Sequence, residues 1–197
     1  VSDEALTAVK KVGLEGLKLG GERKEATIME TDIRGFTSMS ENMEPEEVVS
    51  LLNTYLDKQT EVIQSQGGDI DKFIGDAVLA VFTGSKMAEN AVKCAIKIQM
   101  EIKKLNQTLG ENTMIGIGID TGPIVMGAMG SKDRMDFTVI GDHVNTSARL
   151  CDAAAPGEII ISENTERLLS DTNFQLKKLD PIQVKGKEKP IQIYRVE

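Results

Sequence analysis

The amino-acid sequence predicts an α+β fold: a ferredoxin-like sandwich with helices on one face of a mostly antiparallel sheet. Three observations predict it. Two long segments, residues 45–66 and 87–105, repeat apolar residues at helical spacing. Between them, two short apolar runs, residues 69–74 and 77–82, are separated only by Gly75-Asp76, a hairpin signal. The resulting order is strand, helix, hairpin, helix, strand, which builds an antiparallel sheet backed by helices.

Taken in order, residues 1–25 are mixed and charged and read as a short helix and linker. Residues 26–31 read as a first strand ending at Asp32. The first long helix shows Val48, Leu51, Leu52, Tyr55, Val62 and Ile63 on one side, with Pro45 in its first turn and Gly67-Gly68 as its stop. After the hairpin, Ala88, Ala91, Val92, Ala95, Ile98, Ile102 and Leu105 define the second helix, and Gly110 follows it. Residues 114–120 and 124–129 read as two strands around Thr121-Gly122-Pro123. Residues 137–140 read as another strand, and residues 144–154 as a helix stopped by Pro156-Gly157. Residues 158–161, 174–179 and 191–196 complete the strands.

Composition narrows the function. A chain of 197 residues fits one domain, and 40% apolar with 27% charged residues is a globular mix. No apolar run reaches the roughly 18 to 20 residues of a membrane span, so no membrane contact is expected of this segment, and no signal peptide opens it. The chain begins at Val1, not Met, and is expected to be cut from a longer protein. A cytoplasmic location is expected, with room for an anchor upstream. The net charge of -8 argues against a nucleic-acid partner, yet a bound metal can invert the local charge for a phosphorylated substrate. Cys94 and Cys151 lack C-x-x-C spacing and read as idle thiols. With one histidine, His143, serine–histidine or cysteine–histidine chemistry would rest on that residue alone, and no role is assigned to it.

Three segments can carry chemistry. In Thr31-Asp32-Ile33-Arg34-Gly35-Phe36-Thr37 an acid ends a strand and a helix turn opens near Thr37. Asp32 could hold a hard cation and the free N–H groups could take phosphate oxygens; equally, Asp32 could only cap the helix. In Lys72-Phe73-Ile74-Gly75-Asp76 the aspartate is either a turn residue or a second carboxylate sharing a metal pair with Asp32. Lys72 stands in an apolar strand, and could be a solvated edge lysine. In the segment from Asp136 to Arg149, Asn145 and Arg149 lie on one helical face. An amide beside a guanidinium suits a phosphate or an oxyanion, or is a surface pair.

In this order and spacing, the three segments resemble the class III adenylyl and guanylyl cyclases. Val184-Lys185-Gly186-Lys187 and Ile191-Gln192-Ile193-Tyr194 look like the end of that domain, which would span 26–197. The resemblance implies that Asp32 and Asp76, with the Ile33 carbonyl, bind two Mg²⁺ or Mn²⁺ ions. It implies that Lys72 and Thr138 read the purine, and that lysine with threonine goes with adenine. Asn145 would orient the ribose and Arg149 would stabilise charge on the α-phosphate. Phe36 and Thr37 would lie along the triphosphate, and Lys185 would reach its β- and γ-phosphates. The implied substrate is ATP, and the products are cyclic AMP and pyrophosphate. The family shares each site across a head-to-tail dimer, and this chain holds both residue sets, which implies a homodimer with two sites. Glu30 departs from the family, which usually carries an apolar or aromatic residue there. That departure leaves room for a catalytically weak, dimerising signalling module. A guanylyl cyclase is a further alternative.

Overall fold

The structure, a computed structural model, describes residues 20–36, 40–41, 43–131, 135–169, 173–184, 187 and 189–197. Its strands are β1 (Gly20–Arg34), β2 (Asp69–Ile74), β3 (Ala77–Phe82), β4 (Met114–Gly130), β5 (Met135–Ile140), β6 (Ile159–Ser162), β7 (Leu176–Lys178) and β8 (Ile193–Val196). Its helices are α1 (Pro45–Ser65), α2 (Met87–Leu109), α3 (Asp142–Ala153) and the short α4 (Glu163–Glu166). The strands form one eight-stranded sheet in the order β2-β3-β1-β4-β6-β8-β7, with β5 also paired to β4. Among the described residues the strand pairings are antiparallel except β4 with β6. The α+β class and the mostly antiparallel sheet are as the sequence predicts.

Alternation along the strands gives the sheet two different faces. On one face Met29, Ile33, Val78, Ala80, Phe82, Ile115, Ile117 and Ile119 are buried. Against them lie Tyr55, Val62 and Ile63 of α1 and Ala88, Ala91, Val92, Ala95, Ile98 and Ile102 of α2. Each buried isoleucine there contributes roughly 1.5–3 kcal/mol. Pro45 at the start of α1 and Gly110 (φ 73) after α2 set the helix limits as expected.

The expectation of helices on one face holds for α1 and α2. The third long helix, α3, lies on the opposite face, because β4 offers it almost no side chains there. A Cβ at Gly118 would collide with the main chain of α3 at Cys151 and Ser147, and one at Gly122 with the His143 ring. This glycine stripe lets a helix settle directly on the strand.

A second correction concerns β4. Thr121-Gly122-Pro123 is not a turn. β4 is continuous and pairs with β1 from Gly20↔Ala128 to Arg34↔Met114. Its other edge pairs with β6 at Ile117–Ile119 and with β5 from Val125 to Gly130. Pro123 falls in the gap between those ladders, where a missing N–H removes no bond on that edge. The first strand likewise starts earlier than predicted, at Gly20. The last two are shorter, with Ile182 and Ile191 forming only an isolated bridge.

Candidate active site

The β1–β3 register places Asp32 opposite Ala77. Asp76 precedes Ala77 in the hairpin turn, where Gly75 takes the left-handed φ of 63 that the turn requires. The two acids therefore meet at the end of one ladder. Burial pushes the Asp32 carboxyl above its ordinary range, the nearby Asp76 charge pushes it further, and Arg34 opposes both. An acid pushed up by burial and by a neighbouring carboxylate is one that a cation relieves. The described residues hold no cluster of three or more His, Cys, Asp or Glu able to enclose a metal. An ion here would thus be completed by main-chain, water or substrate oxygens, as Mg²⁺ prefers. The Ile33 side chain is buried beneath α1 and α2, and its main chain continues past the last residue paired to β3.

Sequence reasoning missed Arg34. Its Nη1 donates to Asp32 Oδ2 at 2.9 Å, and its Nη2 donates to the Cys151 carbonyl. The guanidinium lies where a Cβ at Gly116 would stand. Cys151 is in the last turn of α3, where orphan carbonyls favour a cation. Arg34 thereby ties the acid pair to α3. The signal was an arginine two residues after the acid, on the same face of a strand.

Lys72 and Thr138 come together at the other end of this region. β2 and β5 are separated in the sheet by β3, β1 and β4, yet the sheet curls enough for Asp71 to join them. Thr138 Oγ1 donates to Asp71 Oδ2 at 2.9 Å and the Val139 N–H donates to Oδ1 at 3.1 Å. Lys72 Nζ lies 3.3 Å from the same Oδ2. The curl encloses a second apolar cluster that includes Ala26, Ile28, Leu79, Val81, Ile124, Met126 and Val139.

Asn145 and Arg149 are exposed on α3, one turn apart. Arg149 Nη1 meets Asp152 at 3.0 Å. The helix is pinned by His143, to which the sequence assigned no role. His143 Nδ1 lies 2.8 Å from Oδ2 of buried Asp120, whose Oδ1 accepts from Ser162 Oγ at 2.5 Å. That hydrogen bond raises the imidazole's proton affinity. Lys187 Nζ pairs with Asp142 in the first turn of α3. Glu30 stands opposite Gly118, under α3. Burial, then Asp152 and Asp32, push its carboxyl from an ordinary 4.5 up to about 7, against the pull of Arg149. Phe36 is partly buried against the α1–α2 core. Thr37 and Lys185 lie outside the described residues.

Among the described residues no helix is long and apolar enough to cross a membrane. Known proteins share this fold. The family described as the adenylate and guanylate cyclase catalytic domain matches residues 21–197. An adenylate cyclase of Anabaena cylindrica is 37% identical over 209 residues, covering 100% of this chain and 41% of that protein. The chain thus spans less than half of that relative's length. The crystal structure of the adenylyl cyclase CyaB from P. aeruginosa superposes with a TM-score of 0.86 at 38% identity, covering 91% of this chain and 96% of that one. That of the guanylyl cyclase Cya2 superposes at 0.85 and 37%, covering 90% and 94%. A matched domain of this extent, on a sheet that brings paired acids, a lysine–threonine pair and an asparagine–arginine helix into place, makes this chain a member of the class III adenylate and guanylate cyclase catalytic domain family.

Proposed function

We propose that the chain is an adenylyl cyclase domain that converts ATP to cyclic AMP and pyrophosphate at sites shared by two copies. The observation that carries the reading is the meeting of Asp32 and Asp76 at the end of the β1–β3 ladder, where burial and the Asp76 charge disfavour the ionised Asp32. These carboxylates, with the Ile33 carbonyl, would hold Mg²⁺ or Mn²⁺, which would supply positive charge to the triphosphate and acidify the ribose hydroxyl.

The remaining work belongs to side chains. The ribose 3′-oxygen forms a bond to the α-phosphorus as the bond to the pyrophosphate oxygen breaks, so positioning and charge neutralisation dominate. Asn145 orients the ribose, and Arg149 leaves its exposed partner Asp152 to neutralise the α-phosphate. Lys72 and Thr138 read adenine through one donor and one acceptor. Phe73 and Ile74, 51% and 50% exposed, follow Lys72 on β2, and Ile140 at 53% ends β5. An apolar rim around the base-reading pair supports a second copy covering it.

Purified protein is expected to form cyclic AMP from ATP with Mn²⁺, at a specific rate that rises with protein concentration. Asp76→Ala and Arg149→Ala are each expected to be inactive, and mixing them to restore one intact site per mixed dimer. Failure to form cyclic AMP overturns the reading, and inactive mixtures overturn the shared site.

A further inference from the structure

We propose that Asp71 sets the purine preference of this domain by fixing the polarity of the Thr138 hydroxyl. The inference rests on Lys72 and Thr138 being the base-reading pair. A threonine hydroxyl both donates and accepts. Left free, it could accept from the amino group of adenine or donate to O6 of guanine, and it would discriminate poorly. Here it is not free. Its single proton goes to Asp71 Oδ2 at 2.9 Å, and only lone pairs remain for a ligand. The other carboxylate oxygen, Oδ1, accepts the Val139 N–H at 3.1 Å, so the carboxylate is held from both sides. The Asp71 side chain is only 5% exposed, and its orientation is set by the protein rather than by water.

Asp71 can do this because it is the extra residue of a β-bulge. Ile70 pairs with Ala80 and Lys72 with the adjacent Leu79, so Asp71 has no partner on β3. Successive residues of a regular strand point to opposite faces. The bulge re-aims one of them, and Asp71 and Lys72 converge, with Lys72 Nζ 3.3 Å from Oδ2. The ammonium keeps further protons for a ligand, with 42% of the side chain exposed. The pair therefore presents one fixed donor and one fixed acceptor. Adenine offers the complement, an acceptor at N1 and a donor amino group. Guanine offers a donor at N1 and an acceptor at O6, a mismatch at both positions.

The test compares kcat/KM for ATP and for GTP in the wild type, Asp71→Asn and Thr138→Val. In Asp71→Asn the amide oxygen can keep the Val139 N–H while the amide nitrogen donates to Thr138, which turns the hydroxyl proton outward toward O6. The ATP:GTP ratio is expected to fall about tenfold, the worth of one hydrogen bond of about 1.4 kcal/mol, partly through a gain with GTP. Loss of packing alone would lower both substrates together, so an unchanged ratio in folded Asp71→Asn overturns the proposal. Thr138→Val is expected to lose ATP turnover with no gain in GTP. If it leaves the ratio intact, or if the wild type prefers GTP, the base-reading assignment itself fails. Asp71→Glu keeps the charge but displaces the acceptor oxygens, and it covers the case in which Asp71→Asn does not fold. It too must lower the ratio, and a folded Asp71→Glu with the wild-type ratio also overturns the proposal.

Discussion

Replacing Glu30 by glutamine should stabilise the protein, and by an amount that depends on pH. Glu30 lies under α3 with Asp152 and Asp32 near it, and its carboxyl is pushed from an ordinary 4.5 up to about 7. Below pH 4.5 both the folded and the unfolded chain hold the proton, and no penalty exists. Between 4.5 and 7 the unfolded chain releases a proton that the folded chain keeps, and stability falls as pH rises. Above 7 the folded chain carries the charge in a partly dry site and the penalty is complete. The two values lie about 2.5 pH units apart, and each unit is worth about 1.4 kcal/mol, for a ceiling of about 3.5 kcal/mol. Part of the carboxyl still meets water, which screens the acids around it, so a gain of about 2 kcal/mol is expected. Glutamine has the shape of the protonated acid and never ionises. At pH 8.5, without divalent cations, Glu30→Gln should melt about 4–8 °C above the wild type, and near pH 5 the gap should shrink to a small part of that. Equal melting at pH 8.5, or a gap that does not change with pH, would refute the placement of a strained acid beneath α3.

Three further outcomes follow from the same packing. His143→Gln should lose the stabilisation that Asp120 gives the imidazolium. With the folded value raised, that contribution is full below pH 6.5 and vanishes as pH climbs through the raised value. Chemical denaturation of both proteins at pH 5.5 and 9 checks this: the gap must be smaller at the higher pH. Gly118→Ala should destabilise by about 1–3 kcal/mol, since its Cβ meets the α3 main chain at Cys151 and Ser147, and a thermal melt reads it. Cys94 and Cys151 are free and buried, and burial pushes each thiol up to about 12. A disulfide reagent at pH 8 should modify neither until the protein unfolds.

What could be read from the sequence were the features with local signals. The β2–β3 hairpin is announced by Gly75-Asp76 between two apolar runs, and α1 and α2 by their periodic faces with Pro45 and Gly110 at the ends. Asp32 and Asp76 were legible as acids at strand ends. Their meeting follows from a register between β1 and β3 that a hairpin signal does not fix. β4 was misread as two strands because Gly122-Pro123 has the local chemistry of a turn. The register with β1 holds it straight, and tertiary pairing outweighs the local preference. The roles of Asp71, of His143 and of the Arg34 link to α3 were not legible, for a common reason. Each takes its meaning from a partner distant in sequence: Thr138, Cys151 and Asp120. No window on the chain contains both members of any of these pairs.

The alternation of β4 explains why stability and chemistry coexist on one strand. Ile115, Ile117 and Ile119 face the aliphatic core under α2, where volume and shape decide what is tolerated. Gly116, Gly118, Asp120 and Gly122 face the other way, and each meets a group that positions the site: the Arg34 guanidinium, the α3 main chain, the His143 Nδ1 and the His143 ring. An added methyl on the first face would disturb packing by an amount the core can partly absorb. At Gly118 on the second face it would displace α3 itself, and at Gly122 the His143 ring that pins it, and with them Asn145 and Arg149. A shift of about 1 Å in a positioned group can lower turnover about a hundredfold. Substitutions at the even-numbered positions should therefore reduce activity well beyond what their loss of stability accounts for.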